Sequence, residues 1–453
     1  MQSMGSLMPP SSLSSKASAF SADGKTIAVA MDQEGGGLVR FLSVSSDVLS
    51  DTKKNNPTVD NIARFDLLRN DQVASIVEAV GPVTIDDEND ARSLTIEHAN
   101  ETVFHAGVTV GEQRSATFVA PEHSRVESQR GLTIGRRDGS TGRVELASRS
   151  TLNEMSGLVV GDAGHGTLMI ADAARVDCAL GSVGQEATGV GEITVVGNGA
   201  ELHTPVEIMV GENGKGTLNL WQGGCLTSDD TLSAGIRVGS VGELNVTGDK
   251  SSLECKLLCV GHSGMAQLKL DNSAILRTGE AFFARLPSAE VQLSVSNGAR
   301  FVCEGICAIG GSNTAGGSAS AVVDAGGQMS VGGSLMVWNW DVLRLDGGTI
   351  ETESLVVDAR ARIEFCGGTL AVGGLADLAG LLYVGEAAVE NAVDGSRVRV
   401  MTYARSEGSF ETIEGPPGVR LEPIYMAGQG LDVVIYRDQE STQPSVVTRF
   451  DVE

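Results

Sequence analysis

Apolar and polar positions alternate with period two along most of this chain. Leu168 and Ile170, Leu218 and Leu220, Leu244 and Val246, Leu268 and Leu270, Leu293 and Val295 are apolar pairs separated by one residue. That period predicts strands, not helices. The stretches between them are Gly, Asn, Asp and Ser, which suit tight turns because they tolerate positive φ or cap their own backbone.

The alternation is embedded in a recurring sentence. It reads LVVGDAGHGTLMIADAARV, then IMVGENGKGTLNLWQGGCL, IRVGSVGELNVTGDKSSL and LCVGHSGMAQLKLDNSAIL. Its "VG" glycines fall at Gly111, Gly135, Gly161, Gly184, Gly211, Gly239 and Gly261, with a degenerate copy near Phe283 and a further match at Gly310. The successive gaps are 24, 26, 23, 27, 28 and 22 residues. A second ruler is the apolar residue after the second turn, at Val126, Leu152, Val176, Leu202, Leu226, Leu253, Leu276, Phe301, Met329, Ile350 and Leu370. Two rulers in step define a repeat architecture.

A unit this short cannot hold the helix pairs of a helical solenoid, and a propeller blade needs roughly 40 residues. A sandwich would show evenly spaced strands but no repeated sentence. Three short strands and three turns fill the unit. The prediction is therefore an all-β chain, a right-handed parallel β-helix of about 12 coils, each strand pairing with its copy ~4.8 Å away in the next coil. Four segments follow: an irregular N-terminal lead at 1–62, the repeat domain at 63–384, a C-terminal β cap at 385–437 and a polar tail at 438–453. Val83-Thr84-Ile85 and Leu94-Thr95-Ile96 read as its first strands, and the charged stretch at 60–90 as the polar cap that a solenoid end needs.

Composition narrows the function. Of 453 residues 58 are Gly, 41% are hydrophobic and 4% aromatic, and the net charge is −25. Small and branched side chains suit stacked coils. An acidic surface repels polyanions, so neither nucleic acid nor anionic membrane is an expected partner. No stretch reaches the ~18 apolar residues of a membrane span. The calcium-binding nonapeptide pattern is absent, and no cofactor, metal or catalytic residue is assigned.

The seven cysteines are Cys178, Cys225, Cys255, Cys259, Cys303, Cys307 and Cys366. Cys255 with Cys303, and Cys259 with Cys307, are read as sharing register two coils apart. That separation, about 10 Å, exceeds disulfide reach. The two CxxxC spacings put their ends ~13 Å apart on a strand, too far for one zinc. All seven are read as small buried hydrophobes. GENGKGT at Gly211–Thr217, GVGEITVVG at Gly189–Gly197 and GHSGM at Gly261–Met265 miss the phosphate-loop, dinucleotide and nucleophile-elbow spacings and are read as turns.

The repeat unit as it stands at Gly161–Ile170 and Gly211–Leu220 resembles the short repeat of type V secretion (autotransporter) passengers and of PEP-CTERM-associated surface proteins. VTIDDENDARSLTIEH resembles the first coil of such passengers, and VRVMTYARSEGSFETI with GLDVVIY the segment that closes them. The likeness covers roughly 63–437. It implies an exported protein of a bacterial envelope, extracellular or on the outer surface, with a structural or adhesive role. Its partners would be cell-surface or extracellular polymers or another envelope protein. No signal peptide, C-terminal membrane barrel or Pro-Glu-Pro sorting signal is expected in the sequence as given.

The rival reading is a polysaccharide lyase or hydrolase on the same scaffold. It needs an acid and a base or nucleophile at fixed separation. The candidate pairs are Asp229 with Asp230, Asp86 with Asp87, and Asp341 with Asp346, each also readable as a solvated acidic turn. His98, His105, His123, His165, His203 and His262 sit singly and are read as surface or turn residues. Trp338 and Trp340 are two apart on a predicted strand and would face the same way. Facing inward they would plug the core, which is the expectation. Facing outward they would make a candidate ligand-stacking step for sugar rings or a protein partner.

Overall fold

The computed structural model describes residues 101–120 and 122–437, and before them the backbone of the strands Ser14–Phe20, Thr26–Gln33, Gly36–Ser43, Ala74–Ala79, Val83–Ile85 and Ser93–Thr95. It is a parallel β-solenoid of about 11 turns, roughly 50 Å long at ~4.8 Å per turn.

Each coil has three faces. Face A carries strands such as Val108–Val110, face B Ser115–Val119 and face C Arg125–Ser128. In the regular coils each strand pairs in parallel with its copy in the next coil, residue on residue. Inward positions therefore stack in columns. On face B one column runs Phe118, Val144, Leu168, Ile193, Leu218, Leu244, Leu268, Leu293 and Ala321. On face C another runs Val126, Leu152, Val176, Leu202, Leu226, Leu253, Leu276, Phe301 and Met329. All are buried. Each inward Leu or Ile contributes on the order of 2 kcal/mol of burial, and only the stacked neighbours supply it.

The B-to-C turn places two consecutive residues at positive φ, as in Asp172-Ala173 and Asn272-Ser273. The A-to-B corner starts with one residue at positive φ, usually glycine. At Gly161 a side chain is excluded, because a Cβ would lie 2.3 Å from the Val190 carbonyl oxygen of the next coil. The row is Gly111, Gly135, Gly161, Gly184, Gly211, Gly235, Gly261, Ala284 and Gly310. Gly235, not Gly239, is the member in its coil, because Val210 pairs with Ala234. Gly239 belongs to the tip of the corner, with open space around it.

With that correction a longer period emerges. Gly111, Gly161, Gly211 and Gly261 lie 50 residues apart. Corner lengths alternate. From the positive-φ residue to the first buried residue of face B, the steps Gly111–Ala116, Gly161–Gly166, Gly211–Gly216 and Gly261–Ala266 are 5 residues. The steps Gly135–Gly142, Gly184–Gly191, Gly235–Gly242 and Ala284–Val291 are 7. Each long corner closes with a turn, as Ser140 N–H donating to the Arg137 carbonyl, and folds over the short corner after it. Gly164 sits there because its Cβ would lie 2.3 Å from Arg137 O. The unit of construction is thus two coils, not one.

Several expectations change at the ends. The lead predicted to be irregular holds three antiparallel strands, Ser14–Phe20, Thr26–Gln33 and Gly36–Ser43. The alternation in TIAVAM and GLVRFL supports them. Gly36–Ser43 then pairs in parallel with Ala74–Ala79, which pairs with Glu101–Phe104, so the parallel stack already includes strands inside the predicted cap. Val83–Ile85 is a strand as predicted, and the second predicted strand is Ser93–Thr95. At the far end the stack runs past residue 384. Arg397–Gly408 pairs with Arg362–Leu378, and Thr412–Glu414 with Leu381–Val384. The short helix Glu386–Val389 follows Val384, and the hairpin Val419–Met426 with Gly430–Arg437 is antiparallel to the start of Arg397–Gly408. Residues 438–453 lie outside the described residues.

Candidate functional site: the step at Trp338–Asp341

The corner alternation ends abruptly. Gly310 to Ala319 is a step of 9 residues, the longest in this row, where a short corner is due. In the next coil Val337 pairs with Ile309, so Trp338 takes the place of Gly310. Its corner is only Trp338-Asn339-Trp340-Asp341, closed by the Asp341 N–H donating to the Trp338 carbonyl at 3.2 Å. The following coil repeats this tight corner as Asp358–Ala361, with Ala361 N–H on Asp358 O at 2.9 Å. A long loop thus stands directly beside a minimal turn.

The two tryptophans sit on this turn, not on a strand. They therefore do not face the same way, and neither fills the core. Trp338 is half-buried beneath the loop, its indole N–H donating to the Ser312 carbonyl at 2.9 Å. Trp340 stands out from the turn, 71% exposed, with φ at 68°. The Arg360 guanidinium lies 5.2 Å from its ring centroid. The Arg360 N–H also donates to Asn339 Oδ1 at 3.3 Å. The result is an exposed indole, a cation and a planar amide on one ledge.

Asp341 lies under the ledge with 0% exposure. Its column is the first buried position of face B, held by Gly242, Ala266, Val291 and Ala319 before it and by Ala361 after it, one residue ahead of the Val342–Arg362 pair. Oδ1 accepts the Ala319 N–H at 2.5 Å. Oδ2 has no partner and presses on Gly310, where a Cβ would lie 1.5 Å from it. Burial pushes the carboxyl up to about 7, against the pull of the Ala319 N–H. The partner expected for it, Asp346, lies further along the strand Val342–Val357, paired with Arg344 at 2.6 Å. Five residues of strand put them ~17 Å apart, too far for the expected carboxylate pair.

Other predicted residues fall elsewhere. Asp229 and Asp230 share an exposed bend between faces C and A. Asp229 Oδ2 is 3.4 Å from His203 Nε2, whose Nδ1 is 3.0 Å from Asp177 Oδ1. Arg175 holds Asp177 below the usual carboxylate range and bridges to Glu201. This is a ladder of surface charge across successive coils. Asp86, Asp87 and His98 lie outside the described residues.

Cys178, Cys255 and Cys303 belong to a polar column inside face C, at its bend into face A. Ser128, Glu154 and Cys178 stack there, followed by Thr204 and Ser228, then Cys255, Thr278 and Cys303. Ser128 Oγ donates to Gly131 O, Ser228 Oγ to Thr231 O and Cys303 Sγ to Ile306 O, so each ties the bend. Glu154 accepts the Ser156 and Gly157 N–H groups instead. Cys255 and Cys303 are two coils apart, as expected. Cys259 and Cys307 do not share register: Cys259 pairs with Phe282 and Phe282 with Ala308. One extra residue in the bend after Cys303 causes the offset. Burial pushes Cys178 and Cys255 to about 12, and Cys259 and Cys303 to about 11. Cys225 and Cys366 are half-exposed, contrary to expectation.

No family model, curated protein or solved structure matches this chain. The ledge must therefore be interpreted from its own chemistry. Among the described residues no helix is long and apolar enough to cross a membrane, and no group of three metal-binding side chains converges.

Proposed function

We propose that this chain is a non-catalytic, adhesin-like scaffold of the bacterial envelope, which offers the Trp340 ledge to the sugar rings of an extracellular or cell-surface polymer. Trp340 carries the reading. A bulky residue at positive φ costs on the order of 1–3 kcal/mol and persists only where something over-determines it. Burial does not repay Trp340, because its ring stands in water. The other described non-glycine residues at positive φ are His, Ser, Arg, Asp, Ala, Gln, Lys and Asn, none as bulky as an indole. An indole face with a cation and an amide beside it suits a pyranose, which offers C–H groups to the ring and hydroxyls to the polar groups.

The envelope location rests on the resemblance of the repeat to autotransporter passengers and PEP-CTERM-associated proteins. The scaffold role rests on the A-to-B corners, none of which among the described residues exceeds the Gly310–Ala319 step, so that side of the solenoid gives a substrate cleft little wall.

The test is retention of the full chain on a panel of insoluble and immobilised polysaccharides, with Trp340→Ala beside it. The expected outcome is binding to at least one polymer, weakened ten-fold or more in the variant. Equal retention of both proteins, or recognition of an envelope protein in place of any glycan, removes the sugar-stacking reading. Reproducible turnover of a polyuronide removes the non-catalytic one.

A further inference from the structure

We infer that the Gly310–Ala319 corner is a pH-governed flap, seated on Trp338 while Asp341 is uncharged and loosened when Asp341 ionises. This names a regulation of the proposed ledge and rests on that reading only for its biological use; the flap itself is a property of the fold.

The flap has two kinds of tether. Toward the preceding coil it is held by backbone: the Gly310 and Gly311 N–H groups donate to Phe283 O, Gly317 to Ala284 O and Ser318 to Ala289 O. Toward the following coil the side-chain tethers come from the step, the Trp338 indole to Ser312 O and the Asp341 carboxyl to the Ala319 N–H. Asp341 thus supports the end of the loop whose tip shelters Trp338. A carboxylate in that place has one hydrogen bond for two oxygens, and Oδ2 meets the Gly310 backbone instead of water. Ionising it requires water or a new donor. Gly310, Gly311, Gly316 and Gly317 make the flap the softest of the surrounding walls.

The charged surroundings do not supply that compensation. The flap itself carries no titratable side chain, nor does the rest of the tight turn. On the preceding corner are Arg285, turned over Phe282, and Glu290. On the following corner are Asp358, Arg360 over Trp340, and Arg362, which pairs with Glu364 and lies over Tyr383. None of them shifts Asp341, whose midpoint near 7 arises from burial against one backbone N–H. The transition therefore falls at neutrality, seated below and loosened above.

Tryptophan emission reads this directly, because the chain has 3 Trp and Trp221→Phe leaves only the two at the step. Emission is followed from pH 5 to 9 on the full chain without any polymer, alongside hydrogen-exchange protection factors for residues 311–319. The expected result is a red shift and a several-fold loss of protection with a midpoint near 7. Asp341→Asn and Asp341→Ala abolish it; the second copies the Ala361 of the next coil, so the stack accepts it. His262→Gln, which removes a nearby histidine of the corner row, leaves it unchanged. A transition that survives in either Asp341 variant, vanishes in His262→Gln, or is absent from the unmodified chain overturns the flap. A polymer assay that fails leaves this readout intact, so the two proposals fall separately.

Discussion

The coils from Gly111 to Val295 and the coils after Val337 share one core and differ in their corners. In the first region backbone hydrogen bonds make the corner, and short side-chain bonds such as Thr188 Oγ1 to the Ala163 carbonyl and Ser288 Oγ to the Ser263 carbonyl add to them. Glycine at positive φ turns the chain, and alternating 5- and 7-residue steps interlock over two coils. In the second, corners shrink to the tight turns Trp338–Asp341 and Asp358–Ala361. Between them a 9-residue loop meets a minimal turn, and the side chains of Trp338 and Asp341 bond the loop to the coil that follows. Regularity leaves most corner groups to backbone partners. A break in period leaves orphans, and the residues that answer them are where unusual chemistry collects.

The comparison is sharpest at the glycine row. Gly161→Val should destabilise by more than about 3 kcal/mol, since the new side chain meets the Val190 carbonyl and positive φ together. Gly139→Ala, on an open corner tip, should cost only ~1 kcal/mol. Thermal unfolding of both variants decides it; equal losses would break the interlocking account.

The shared core predicts equal behaviour across the step. Leu218→Ala in the regular coils and Leu343→Ala in the tight ones occupy the same face B column. Each should cost roughly 2–5 kcal/mol by denaturant unfolding. A difference beyond about 2 kcal/mol would mean that the two regions do not share one core.

At the step the prediction is one of sign. The folded pKa of Asp341 is raised to about 7 from an ordinary unfolded value near 4. Between those values the folded chain holds a proton that the unfolded chain releases. Its contribution is full below about pH 4, falls as pH rises to 7 and is lost above. Relative to the unmodified chain, Asp341→Ala should therefore gain more than ~1 kcal/mol in going from pH 5 to pH 8. A pH-independent difference would refute the buried-charge account.

Surface ladders should matter less. Arg175→Gln removes the guanidinium that depresses Asp177. The pair is partly exposed, so the loss at pH 7 should stay under ~1 kcal/mol. It should vanish on acidification through the lowered Asp177 pKa. Trp340→Gly should change stability least. Strain relief of ~1 kcal/mol is offset by a lost cation–π contact of ~0.5–1 kcal/mol, while polymer retention falls.

Much of this architecture could be read from the residues. Alternation in Leu168/Ile170 and its copies demanded strands, and the two rulers demanded stacking. The two-coil unit was obscured because Val238-Gly239 spells the same dipeptide as the true corners while Ala234-Gly235 does not. The register of Cys307 was lost to a one-residue lengthening of a bend, invisible without the strand pairs. Trp338 and Trp340 were misplaced on a strand because local alternation cannot see a turn borrowed from the next coil. A signal was present. The second ruler contracts from 28 residues between Phe301 and Met329 to 21 and 20 at Ile350 and Leu370, and something had to be removed there. What no spacing could reveal is that Asp341 would stand in a column of Gly, Ala and Val.

The exact 50-residue interval from Gly111 through Gly161 and Gly211 to Gly261 has a genetic corollary. Excising or duplicating one such interval joins surfaces that already fit, so the rod can grow or shrink by slippage in the gene without new contacts having to evolve. An event half that size would set two like corners against each other and leave Gly164 or its equivalents without the turn that covers them.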